Sequence, residues 1–292
     1  MLLQLFSVLL AAAFQANATP QAAVDELLAT DRNFSKAASG QTVLTSLLPM
    51  FADDVLLPLG SAFVEGKTRA EEAFRQNPDN LTARVEWTPI RGGVSADGRH
   101  GFTFGYMTVR KADGTTVPMK YLSYWVRQKD GWRVMTYRRR PRPEGRVSME
   151  LMSPSLPARM VPADLDAATI EQHRESLAAA EHAFSDEAQK IGLGAAFTKY
   201  GREDAINLGG PKEVGFVVGS AAIGRAVGEG TPTNSSPVSW AADHKVMVAA
   251  SGDLGVTFGF IRSNEKKEQP PIAFFTIWRR ESPASPWRYI AE

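Results

Sequence analysis

Residues 101–106 read Gly101-Phe102-Thr103-Phe104-Gly105-Tyr106, and residues 255–260 read Gly255-Val256-Thr257-Phe258-Gly259-Phe260. The two hexapeptides stand 154 residues apart and share both glycines, the threonine and the second phenylalanine. Outward from them the match continues. Asp31-Arg32-Asn33-Phe34 pairs with Glu181-His182-Ala183-Phe184, and Val85-Glu86-Trp87 with Val238-Ser239-Trp240. Trp125-Val126-Arg127 pairs with Trp278-Arg279-Arg280, and Trp132-Arg133-Val134 with Trp287-Arg288-Tyr289. The offset drifts from 150 to 155, as small insertions in surface loops produce. One unit copied once is therefore expected, which suits 292 residues, twice the usual domain of about 150.

Both copies carry the same order of elements. In the first, helical spacing appears at Val24, Leu27, Leu28, Phe34 and Ala38, then in a short helix over 44–51. A strand at 55–59 follows, then a helix at 68–74 with Thr68 as its cap and Glu71 as the capping-box acid. Four strand-like runs at 82–90, 101–111, 116–128 and 132–139 close the unit, joined through Asp97-Gly98, Asp113-Gly114 and Asp130-Gly131. Asp-Gly between alternating runs signals hairpins, so helices first and an antiparallel meander second predict an α+β fold. The expected division is a signal peptide at 1–18, a first domain at 19–140, an exposed linker at 141–166 and a second domain at 167–292. Pro141, Pro143, Pro154, Pro157 and Pro162 mark the linker.

Residues 2–14 are apolar apart from Gln4 and Ser7, too short to span a bilayer but suited to a secretory signal, and Ala16-Asn17-Ala18 is a small-x-small cleavage site. Export to a periplasm or the outside medium is expected, with no membrane segment left after cleavage. The usual positive residue ahead of the apolar run is missing. Thirty-three Lys+Arg against 32 Asp+Glu leave a charge of +1, which argues against nucleic acid or anionic lipid as a partner. The absence of cysteine excludes disulfides, thiolate metal sites and a Cys nucleophile.

Phe51-Ala52-Asp53-Asp54-Val55, Gly66 before a helix, the Trp87 strand, the Gly-aromatic-Thr-x-Gly hexapeptide and the closing Tyr121-x-x-x-Trp125 and Trp132-Arg133-Val134 together form a recognisable pattern. So do residues 251–259 with Phe275-Thr276-Ile277-Trp278. The chain resembles the nuclear transport factor 2-like superfamily, in its polyketide cyclase-like, domain-of-unknown-function branch, over roughly 24–139 and 170–292. The resemblance implies two tandem cystatin-like cone-shaped α+β barrels, each a curved, mostly antiparallel sheet wrapped on N-terminal helices around a pocket. It implies that the two pair sheet to sheet as an internal pseudo-dimer, since family members often do so as homodimers. It implies little about chemistry, because members include isomerases, dehydratases, cyclases, epoxide hydrolases and non-catalytic binders. The catalytic Asp of the steroid-isomerase relatives follows the Phe-Ala-Asp-Asp strand start, where this chain has Leu57-Pro58-Leu59 and, in the second copy, Asn207-Leu208-Gly209.

Other motifs fall away. Gly60 to Gly66 has five intervening residues where a phosphate-binding loop needs four, and Gly219 to Gly224 has the spacing but is followed by Arg225-Ala226. No two of His100, His173, His182 and His244 stand at i, i+4, and no Gly-x-Ser-x-Gly elbow exists. No metal and no cofactor is expected. Asp31, between Leu27 and Phe34, and Glu181, between Leu177 and Phe184, sit on apolar helix faces. Such a carboxylate is either paired, with an Arg such as Arg138 or a Trp indole, or raised in pKa. The structural role is favoured over that of a general base. Aligning the copies sets Lys120 against Ala273, Tyr121 against Phe274 and Tyr106 against Phe260, so the first copy is the more polar. A small-molecule ligand is expected there, held by Trp87, Tyr106, Lys120, Tyr121 and Trp125. Strand alternation places Lys120, Leu122 and Tyr124 on one side and Tyr121, Ser123 and Trp125 on the other, and the second set is the expected lining. The competing readings are an enzyme, a lyase, isomerase or hydrolase using Asp31 with Tyr121 as acid, and an interaction module whose cones are filled. Residues 120–146 hold nine basic and two acidic side chains, read as a solvated last strand in preference to an anion patch.

Overall fold

A computed structural model describes residues 19–163 and 165–292, and the expected signal peptide at 1–18 lies outside the described residues. The first helix, α1 (Pro20–Ala37), starts at Thr19, whose hydroxyl accepts from the Ala22 N–H at 3.1 Å, and Pro20 occupies the first turn where it forfeits no bond. Its buried residues Ala23, Val24, Leu27, Leu28 and Asp31 form the stripe of a helix laid on a sheet. Then come α2 (Val43–Leu47), the hairpin β1 (Leu56–Leu59) and β2 (Ala62–Glu65), α3 (Lys67–Arg75) and α4 (Asp79–Thr82). An antiparallel sheet in the order β3-β4-β5-β6 completes the half: β3 (Arg84–Val94), β4 (His100–Arg110), β5 (Thr116–Gln128) and β6 (Gly131–Pro141).

The second half consists of α5 (Ala167–Ile191), α6 (Leu193–Tyr200), β7 (Gly201–Asn207), β8 (Val217–Val218), α7 (Ser220–Gly228), β9 (Val238–Val248), β10 (Leu254–Ser263), β11 (Ile272–Arg279) and β12 (Arg288–Ala291). Its sheet runs β8-β7-β12-β11-β10-β9, with β7 parallel to β12 and the other neighbours antiparallel. The fold is α+β, built on mainly antiparallel sheets.

Three local expectations need correction. Thr68 does not cap α3: the helix begins at Lys67 behind Gly66, whose φ of 87° a side-chain-bearing residue rarely adopts. The strand expected at 82–90 runs to Val94, with a register shift just after Pro89 that leaves Ile90 without a partner in the ladder. The linker is not free, because part of it lies along β3: Met152 donates to Ile90 O at 2.8 Å and Ser155 to Gly92 O at 3.0 Å. The segment thereby covers a strand edge that would otherwise offer unpaired backbone groups.

The recurrent hexapeptide now has a physical meaning. A Cβ at Gly101 would stand 2.5 Å from Leu27 Cδ2, and one at Gly255 2.5 Å from Leu177 Cδ2, so each first glycine lets its helix touch its sheet. A Cβ at Gly105 would meet Thr88 O at 2.0 Å, and one at Gly259 would meet Ala241 O at 1.7 Å, both beside register shifts in the ladder. The threonines face the helix, while the aromatic and aliphatic residues between them face away.

That alternation produces three apolar clusters. One packs α1 on β3–β6, through Leu27, Trp87, Tyr121 and Trp125; its counterpart packs α5 on β9–β12, through Leu177, Phe184, Trp240 and Trp278. The third lies between the far sides of the two sheets and joins Phe102, Phe104, Leu122 and Tyr124 to Val256, Phe258, Phe275 and Ile277. At one end of it the hairpin turns clasp each other. Asp97 accepts from Ser251 N at 3.2 Å, and Asp253 accepts from Ala96 N at 3.1 Å. Arg279, 2% exposed, adds its guanidinium to Asp253 and to Val94 O.

Candidate functional site

The helix-facing interior of each half, its cup, is organised around one carboxylate. In the first, Asp31 is fully buried; the Trp87 indole donates to Oδ1 at 2.7 Å and the Tyr121 hydroxyl to Oδ2 at 2.8 Å. The Thr103 hydroxyl also bonds Asp31 and accepts from the Trp125 indole at 2.9 Å. Burial raises the Asp31 pKa, and the hydrogen bonds from Trp87, Thr103 and Tyr121 oppose it. Tyr121 is pushed well above its ordinary value by the same burial, with the Asp31 charge adding to it, so its proton stays on.

In the second cup, fully buried Glu181 receives the Trp240 indole on Oε1 at 2.7 Å, and the Thr257 hydroxyl and the Trp278 indole, at 3.0 Å, on Oε2. Burial raises this carboxyl to about 7 against the three bonds. A serine one helical turn further on supports each arrangement: Ser35 accepts from Trp87 N at 3.1 Å and Ser185 from Trp240 N at 2.9 Å. The bonding partners of both carboxylates are thus indoles and hydroxyls, and Arg138 is not among those of Asp31. Arg138 instead donates to Ala273 O, across the two sheets, at 2.7 Å.

The structure divides the five expected ligand residues. Trp87, Tyr121 and Trp125 lie together in the first cup around Asp31. Trp125 and Asp31 have 0% exposure, which leaves no water-sized space against either, inside or out. Tyr106 and Lys120 face the other way. Lys120 is fully buried and donates to Glu213 O and Gly215 O at 2.8 Å each, and the Tyr106 ring packs, tilted by 50°, on that of Phe216 with centroids 5.2 Å apart. Both therefore hold the second half's loop 208–216, for which the sequence offered no signal. Burial lowers Lys120 to about 8, with Glu213 opposing and Arg140 and Arg142 assisting. The first half answers in kind: Gly60 O, in its β1–β2 turn, accepts from Ala273 N at 2.9 Å, and Phe63 stacks on His244 at 4.2 Å.

Two openings lie outside the cups. A cavity of about 410 Å³ sits between Arg140 at the end of β6, the 208–216 loop and α7. A second, of about 620 Å³, lies across the α6–α7 contact and shares Glu213, Ala226 and Glu229 with it. Among the described residues no three His, Asp or Glu side chains converge as a metal site, and no helix is long and apolar enough to cross a membrane.

No family model and no curated protein matches the chain. Solved structures do. A nuclear transport factor 2-like protein of unknown function from Shewanella oneidensis is 13% identical, with 39% of this chain and 96% of that one covered and a TM-score of 0.32. A ketosteroid isomerase-like protein from Erwinia carotovora atroseptica is 15% identical over 39% of this chain and 92% of that one, TM-score 0.31. A nuclear transport factor 2-like protein with a cystatin-like fold from Novosphingobium aromaticivorans is 12% identical over 39% and 79%, TM-score 0.31. Each spans about two fifths of this chain, and no activity is carried over from any of them.

Proposed function

We propose that the chain is an exported, non-catalytic interaction module made of two nuclear transport factor 2-like domains, 19–140 and 167–292, paired through their sheets as an internal pseudo-dimer. In this reading the cups are filled structural cores, and recognition belongs to the outside of the pair. One observation carries it: the oxygens of both Asp31 and Glu181 are taken by indole and hydroxyl donors inside closed clusters. A general base needs a lone pair within reach of a substrate proton. Here the acid that would complement Asp31, Tyr121, is the group already donating to it. Export rests on the sequence of residues 1–18.

Native mass spectrometry of protein isolated from its own source, together with Asp31→Asn and Tyr121→Phe, tests this reading. The expected result is a bare mass and two variants that differ from the parent in stability alone. A small molecule that co-purifies with the parent and is lost from both variants would instead establish the first cup as a ligand site.

A further inference from the structure

The linker between the halves is a strap, and methionines anchor it. After β6 the chain turns back along the edge of β3 and over the 95–98 turn. Met152 N donates to Ile90 O at 2.8 Å, Ser155 N to Gly92 O at 3.0 Å, Val94 N to Ser155 O at 3.3 Å and Val161 N to Ala96 O at 2.9 Å. Arg91 Nε adds a bond to Ser153 O at 2.8 Å, and Arg279 one to Ser155 O at 3.4 Å. Leu151, Ser153, Ala158 and Arg159 are exposed, so the segment runs at the surface. Hydrogen bonds that water can take over contribute little net stability, and apolar anchoring decides whether the strap stays down. Three half-buried side chains supply it. Met152 packs against the cluster between the two sheets, and Leu156 and Met160 against that of the first cup. Met160 also touches the clasp, since a Cβ at Gly98 would stand 3.1 Å from its Cε.

Methionine is unevenly placed in this chain. Met50, Met107, Met119 and Met135 are buried. Of the other described methionines, Met149, Met152 and Met160 all belong to the strap, and Met247 lies on β9. A thioether is an apolar anchor that a peroxide converts into a polar group. The sulfur lone pair attacks a peroxide oxygen, an S–O bond forms as the O–O bond breaks, and the departing hydroxide takes the remaining proton, leaving a sulfoxide and water. Sulfur is oxidised by two electrons and the peroxide reduced. The sulfoxide oxygen is a strong acceptor that loses its hydration if it returns to an apolar contact. Half-burial makes Met152 and Met160 both reachable by a small oxidant and necessary to the packing. Met149, 48% exposed, anchors little, and Met135, 1% exposed, is out of reach.

We propose that the strap is a peroxide-sensitive latch, in which oxidation of Met152 and Met160 to sulfoxides lifts residues 152–161 off β3. Its release bares a strand edge, with Ile90 O, Gly92 O and Val94 N left to pair with another extended chain. The latch belongs to the first half alone. Gly92 and Gly93 stand opposite Thr103 and Phe102 in the ladder, whereas the matching places opposite Thr257 and Val256 hold Val246 and Met247. A Cβ at Gly93 would already stand 3.0 Å from Ser155 Cβ, so side chains at the corresponding edge of β9 fill the space a strap needs.

Hydrogen exchange of the full chain before and after treatment with hydrogen peroxide, with mass mapping of each methionine, is the test. Once Met152 and Met160 carry oxygen, the amides of Val94, Met152, Ser155 and Val161 should exchange at least about tenfold faster, while those of β5 keep their rates. Met152→Leu with Met160→Leu keeps volume and apolarity, so this variant should fold like the parent and hold its protection through the same treatment. Met149→Leu should still open as the parent does. Full conversion of Met152 and Met160 without loss of protection overturns the proposal. So does conversion of Met149 while those two thioethers resist, or equal opening of the double leucine variant.

Discussion

The two cups solve one problem with different chain lengths. Each must satisfy a buried carboxylate facing a tryptophan on the first strand of its meander and a threonine on the second. In the first cup the acid is Asp31, and the Tyr121 hydroxyl completes its shell while the Trp125 indole stops at Thr103. In the second, Glu181 is one methylene longer and takes the Trp278 indole directly, and the position of Tyr121 is filled by Phe274, which has no hydroxyl to give. Aspartate goes with tyrosine and glutamate with phenylalanine. The exchange of Tyr121 for Phe274 is accounted for by these internal partners, while the other polar positions of the first half, Lys120 and Tyr106, are used on the opposite face against the 208–216 loop. Buried polar groups must be matched, and the donor count follows the reach of the acid.

The largest effect should come from removing the tryptophan that only one cup uses as a direct donor. Trp278→Ala should cost more than Trp125→Ala in denaturant unfolding, each on the order of 3–5 kcal/mol, because it also strips Glu181 of a donor. Equal costs would show the indole bond to be unimportant. The pH dependence comes next. Glu181 has a folded pKa of about 7 against 4.5 when unfolded, so the native state binds its proton more tightly. Its stabilising contribution is complete below about pH 4.5 and is lost as pH rises to about 7, on the order of 3 kcal/mol. Glu181→Gln should flatten the pH–stability curve in that window; a curve parallel to the parent's would refute the assignment.

A smaller effect tests the pairing of acid and partner. Tyr121→Phe should destabilise by about 1–3 kcal/mol, by leaving Asp31 short of a donor. Adding Asp31→Glu, which recreates the second cup's pairing in the first, should recover about 1 kcal/mol or more relative to the sum of the single changes. Strict additivity would mean that the two positions do not exchange roles. Smallest of all should be Ser35→Ala and Ser185→Ala, about 1 kcal/mol each. Their near equality, measured by thermal melts, would identify the serine bridge as the element common to both cups.

The helix-then-meander order and the extent of β5 (Thr116–Gln128) were legible, because each is written in local spacing that repeats every two residues or every turn. Elements without such spacing were not: β2 has four residues, α4 has four, and Gly66 caps α3 through its backbone alone. The apolar placement of Asp31 and Glu181 was readable from their helices. Their partners were not, since Trp87 and Tyr121 lie 56 and 90 residues from Asp31. Lys120 and Tyr106 could be separated from Tyr121 and Trp125 by alternation. That they grip the 208–216 loop could not, because that loop has no counterpart of the same length in the first copy.

Residue order alone specified an α+β fold and which side chains share a strand face, since periodicity is a property of neighbours. It did not specify whether a cup is open or closed, or which strand edge the linker covers. Those depend on how side chains from distant elements fill space and use up one another's hydrogen bonds. Only when α1 lies on β3–β6 does Asp31 meet two indole-bearing strands, and only when the linker folds back on β3 does Met152 meet Ile90.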